Sequence, residues 1–173
     1  MTRTAWILAI TYLALQGCTP PNPVRLGAPI EGYSHTSAAI NRFSVNGAGG
    51  PNISPYSGGG KQNCCASLPV KWHPGLTVVV EWVKDPNQYD SRNWPKPRYS
   101  DAWSKAARAH EAKYTHHRAV VPVAQYENLG IVNVHFLPCN QVAVSAGATY
   151  PGRPDYPFHF PQKMQEPATC PES

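Results

Sequence analysis

Apolar and polar residues alternate in short runs along most of this chain, and glycine and proline break the runs at close intervals. Period-two alternation between turn residues marks half-buried β-strands. It predicts strands at 30–36, 40–45 (apolar at Ile40, Phe43 and Val45), 62–68, 76–83, 118–124, 130–137 and 141–146. The strongest is 76–83, a β-branched Leu-Thr-Val-Val-Val-Glu-Trp-Val run introduced by Pro74-Gly75. Two glycine clusters, 46–52 and 57–60, read as surface loops with unusual backbone angles. One stretch alone has helical character. It opens at Ser100-Asp101-Ala102-Trp103, runs to about Tyr114, and combines a serine cap, an early acid and an alanine-rich interior. Seven short strands and one inserted helix predict a mainly β protein, an antiparallel β-sandwich (immunoglobulin-like in its strand count) with long loops.

The first residues break the alternation. Arg3 precedes an apolar run, 5–15, which leads into Leu15-Gln16-Gly17-Cys18. The run has the length of a signal-peptide core and is too short for a membrane span, which needs roughly 20 apolar residues. Residues 1–17 are therefore expected to be a secretory signal. Leu-x-Gly-Cys resembles the lipobox of bacterial lipoproteins, in which the cysteine carries the acyl chains, palmitate among them, and becomes the first mature residue. On that resemblance Cys18 is lipidated. Thr19 at the next position is compatible with transport to the outer membrane, where an Asp would favour the inner one. A proline-rich stretch, 18–29, is expected to be a tether, and 30–173 a single domain in the cell envelope that faces the periplasm.

Composition narrows the partners. Without Arg3 the mature chain has 14 basic residues against 10 acidic ones, a net +4, and no basic stripe of the kind that binds nucleic acid. Charged residues are sparse at 14% while Pro and Gly are plentiful, which fits a loop-rich β domain rather than a disordered tail. Beyond Cys18 there are four cysteines, Cys64, Cys65, Cys139 and Cys170, an even number expected to form disulfides in an oxidising compartment. Three pairings are open. A Cys64–Cys65 bridge ranks last because it demands unusual geometry of neighbours. Adjacent residues of a strand point to opposite faces, so one of the pair is expected to bond Cys139 and the other Cys170 in the proline-rich tail.

Motifs for catalysis and metal binding are incomplete. His110-Glu111 begins a zincin pattern, but Tyr114 stands where the second histidine belongs. His116, His117 and Arg118 are expected near the C-terminus of the helix, where positive groups meet its dipole. Gly58-Gly59-Gly60-Lys61 has Pro55 in place of the first phosphate-loop glycine and Gln62 in place of the hydroxyl residue. There is no Gly-x-Ser-x-Gly elbow. The reading is of a protein that is not an enzyme and uses no metal or cofactor.

What remains is a surface segment, 85–99, in which Pro86, Pro95 and Pro97 forbid a helix. Tyr89, Asp90, Arg92, Trp94, Arg98 and Tyr99 interleave aromatic and charged side chains, the types that dominate protein-binding hot spots. They are the candidate partner-binding residues.

The ordered set Phe43…Gly49-Gly50, Gly58-Gly-Gly60, Cys64-Cys65, Leu68-Pro69, Trp72-x-Pro74-Gly75-Leu76, Val78-x-Val80-x-Trp82 and Val134-His135-Phe136-Leu137-Pro138-Cys139 resembles a family of bacterial lipoproteins known as a domain of unknown function. The likeness covers about 30–146. Members are similar to immunity lipoproteins encoded beside type VI secretion lipase effectors. The resemblance implies a periplasmic domain that binds and blocks a toxic phospholipase, and it supplies no catalytic residues. The contrasting expectation is an accessory lipoprotein that assists outer-membrane or secretion-system assembly.

Overall fold

The computed structural model describes residues 23–171. The expected signal peptide and Cys18 lie outside them. Two four-stranded sheets face one another as a sandwich. The first has the strand order β4(Asn63–Pro69)-β1(Arg25–Ser34)-β7(Leu129–Phe136)-β8(Val142–Gly147), and the second has β3(Ala48–Gly49)-β2(Ala39–Val45)-β5(Thr77–Asp85)-β6(Thr115–Pro122). Alternation along the strands sends Ile30, Ile40, Phe43, Val45, Leu68, Val78, Val80, Val132, Val134 and Val144 into one core between the sheets. The rings of Phe43, Trp82 and Phe136 meet there at 5.2–5.7 Å between centroids. Gly32 and Gly50 lie against Phe43, where a Cβ would collide with the ring.

Several expectations need correction. β1 and β7 run parallel, Ile30 opposite Val132 through Ser34 opposite Phe136, so the first sheet is mixed rather than wholly antiparallel. β1 starts at Arg25 and pairs with β4 from Arg25 opposite Pro69, so residues 25–29 belong to the sheet and not to the tether. The first glycine cluster is partly structured. Asn46 and Gly47 both have positive φ (50° and 84°), the hairpin turn Asn-Gly favours, and Ala48–Gly49 return beside β2. Thr115 begins β6, so His116, His117 and Arg118 stand on an edge strand and not at a helix end. Cross-strand pairing with β5 satisfies that backbone, and the helix stops at Glu111.

The disulfides also depart from expectation. Cys64 bonds Cys65, with Cα atoms 3.1 Å apart, and Cys139 bonds Cys170 across 5.4 Å. Strand register explains why. Asn63 stands level with Ile30 and hence with Val132, seven residues short of Cys139. At about 3.3 Å per strand residue that is roughly 20 Å, whereas a disulfide keeps its Cα atoms within about 7 Å.

The strand directions define two poles. Arg25, Pro69, Thr77, Pro122, Leu129 and Gly147 mark a base where β1 begins, and Ser34, Ala39, Asp85, Thr115, Phe136 and Val142 mark the far pole. A nine-residue strand such as β5 separates them by roughly 30 Å.

Candidate functional site

The far pole carries the segment between β5 and β6. Asp85 ends β5 and turns the chain, its Oδ1 accepting from the Asn87 amide at 2.9 Å. A 3-10 turn follows at Gln88–Asn93 and then α1(Asp101–Glu111). Ser100 caps the helix, its Oγ accepting from the Trp103 amide at 3.2 Å, and Asp101 lies in the positive first turn.

Helix and turn are held to the sandwich by one buried polar contact. His110 Nε2 donates to Asp85 Oδ2 at 3.1 Å with both side chains at most 7% exposed. Around it Trp94 meets Trp103 and His110 edge-on at 5.3 Å, and Tyr114 meets His110 at 5.4 Å. Burial and the neighbouring Asp85 carboxylate push the Tyr114 hydroxyl up to about 12, so it stays protonated.

These contacts divide the six predicted binding residues. Trp94 is half-buried in the cluster. Asp90 turns toward Lys113 Nζ at 3.5 Å and His110 Nδ1 at 3.7 Å. The other four face solvent, as two stacked pairs. Tyr89 is 52% and Tyr99 72% exposed, Arg92 lies 4.2 Å over the Tyr89 ring, and Arg98 lies 4.9 Å over Tyr99. Stacked guanidinium–aromatic pairs arrive already ordered, so a partner that covers them restricts little further motion.

A second constellation was missed from sequence. On the outer face of the first sheet, Ser145, Tyr156, His135 and His35 form one chain of hydrogen bonds that ends on the Pro161 carbonyl. Ser145 Oγ to Tyr156 Oη is 2.8 Å, Tyr156 Oη to His135 Nε2 2.6 Å, His135 Nδ1 to His35 Nε2 2.9 Å, and His35 Nδ1 to Pro161 O 2.7 Å. A carbonyl only accepts, so His35 Nδ1 donates. With both rings neutral the whole order follows: His135 Nδ1 donates to His35, Tyr156 to His135, and Ser145 to Tyr156. Burial, reinforced by His35, pulls His135 down to about 3, and burial lifts Tyr156 to about 12. Tyr33 stacks on His135 at 4.8 Å and donates to the buried Glu31 carboxylate at 2.7 Å.

Residues 150–171 lie over this layer as a strap, with Phe158 and Phe160 against His135. Tyr33, His35, His135, Phe158, Phe160 and Gln162 line a cavity of about 470 Å³ under it. The spacing Tyr156-x-Phe158-x-Phe160 was the available signal, since alternate aromatics in an extended segment present one face. Ser145 reaches imidazole only through Tyr156, whereas an activated hydroxyl nucleophile sits within hydrogen-bond reach of its base.

At the end of the strap Cys139, Glu166 and Cys170 gather their side-chain donors within 4.8 Å. Both sulfurs are spent in the disulfide. Glu166 Oε2 accepts from the Cys139 amide at 2.6 Å, and Oε1 lies 3.4 Å from Lys84 Nζ. The group is a clamp that holds the strap to the far pole. Among the described residues no helix is long and apolar enough to cross a membrane.

A family model described as "Protein of unknown function (DUF3304)" matches residues 33–144. The match runs from Tyr33 into β8, ending at Val144, and stops short of the strap. No curated protein matches the chain. No solved structure matches it.

Proposed function

We propose that this chain, which belongs to the DUF3304 family, is a lipid-anchored periplasmic immunity protein that captures and inhibits a secreted phospholipase effector of the type VI class. The observation that carries the reading is the exposed set of Tyr89, Arg92, Arg98 and Tyr99 on a braced insertion at the pole opposite the start of β1. Tyrosine and arginine supply large contact area at low entropic cost, as inhibitor surfaces require. An acylated Cys18 concentrates the inhibitor on the membrane the effector attacks, which raises the encounter rate without any new contact. Several acyl chains on one cysteine hold where a single chain would not.

The test is capture of the host's secreted proteins on the immobilised full chain, with lipase activity assayed before and after release. A bound lipase that is silent on the chain and active on release supports the reading, and a Tyr99→Ala, Arg98→Ala double variant should no longer retain it. A bound fraction that shows no lipase activity after release overturns it. Recovery of envelope-assembly components instead would assign the accessory role.

A further inference from the structure

We propose that the base of the sandwich is a lipid-docking surface that seats the domain on the bilayer. The inference rests on lipidation of Cys18 and adds to it where the folded domain sits. β1 begins at Arg25, and Val24 already accepts from the Val70 amide through its carbonyl at 2.8 Å. Only the six residues 19–24 therefore separate Cys18 from the sheet. Fully extended they span no more than about 20 Å, at 3.3–3.6 Å each. A lipid anchor on so short a leash cannot hold this pole far from the headgroups.

The base is built to meet them. Val24 is 72% and Leu26 54% exposed, two of the six large hydrophobic residues most open to solvent among the described residues, and they stand beside each other where the chain comes in. Around them Arg25, Lys71 and His73 are exposed, and Trp72 is half-buried with its Nε1 donating to the Val123 carbonyl at 2.9 Å. Glu127 and Asp155 are acidic residues at this end, and the Glu127 backbone carbonyl receives Lys71 Nζ at 3.3 Å. Apolar side chains flanked by Arg25 and Lys71, with an indole beside them, suit the boundary between acyl chains and anionic headgroups. Each Lys or Arg near such a surface adds to the attraction, and proximity imposed by the leash makes that attraction intramolecular. Docked this way, the domain points Tyr89 and Tyr99 away from the bilayer by the length of a strand.

The experiment reconstitutes the full lipidated chain in vesicles of phosphatidylethanolamine and phosphatidylglycerol. A membrane-impermeant amine reagent then labels the lysines, read by mass spectrometry against the soluble Cys18→Ser protein. Lys71 at the base should lose labelling severalfold on the vesicle while Lys96 at the far pole is unchanged. In Val24→Asp, Leu26→Asp the protein should still float with the vesicles, and Lys71 should regain its reactivity. A chain that floats but labels Lys71 as fast as the soluble form overturns the docking alone. A full chain that fails to float overturns the anchoring and the docking with it.

Discussion

Two segments outside the strands lie on this sandwich, and they are held in opposite ways. The strap over the first sheet is fastened by polar groups that are buried and paired in sequence, from Ser145 to the Pro161 carbonyl. The insertion at the far pole has one buried polar contact, His110 to Asp85, and otherwise rests on aromatic edges, with Tyr89 and Tyr99 left in solvent. A buried chain of hydrogen bonds tolerates one geometry, because every unpaired member costs its full desolvation. Aromatic edges and stacked arginines tolerate many partners. The strap is thus the segment that fixes structure, and the insertion is the segment free to vary its contacts.

His135→Ala should be the largest break. It leaves Tyr156 and His35 without their buried partner and opens a cavity, which should lower unfolding free energy by on the order of 4 kcal/mol. A urea titration measures this, and limited proteolysis should cut first within 150–171. Cys139→Ser removes a crosslink spanning 31 residues and should cost about 3 kcal/mol, visible as a fall in Tm that reducing agent produces in the native chain.

Acid provides a third route. His135 takes up its proton near pH 6.5 when unfolded but only near pH 3 when folded. Between those values the unfolded chain binds the extra proton, so stability falls as pH drops through the window. From pH 6.5 to about 5 the loss from this group is roughly 2 kcal/mol, and His135→Ala should lack it. The smallest effect falls on the other segment. Tyr99→Ala should move stability by less than about 0.5 kcal/mol while abolishing capture of the proposed lipase. Equal losses of stability at Tyr99 and His135 would erase the distinction between the segments.

Much of the fold was legible because its signals are local. The β-branched run of β5, the alternation at Ile40, Phe43 and Val45, and the Ser100 cap each depend on residues within one turn or one pleat. The start of β1 was not legible, since Pro29 and Gly27 read as tether until Ala66 and Ser67 supply a pairing partner. His116 and His117 were misplaced for the same reason. Their strand exists because β5 lies beside it, and no helix remains to be capped there. Of the insertion, residue types and breakers announced a surface segment, but the division between Trp94, half-buried, Asp90, paired with α1 and Lys113, and Tyr89, Arg92, Arg98 and Tyr99, left in solvent, depends on where α1 packs.

By itself, then, the sequence determined the β-rich architecture, the core-facing positions and the aromatic and charged character of the insertion, all set by periodicity and composition over short spans. Tertiary structure alone decided the parallel pairing of β1 with β7, the two disulfide partners and the buried chain from Ser145 to Pro161. The reason is geometric: the strand pairing, the Cys139–Cys170 bridge and the buried chain join residues far apart in sequence. With Cys139 and Cys170 meeting each other, the adjacent Cys64 and Cys65 are left to pair. Such meetings depend on sheet register, which a linear pattern does not encode.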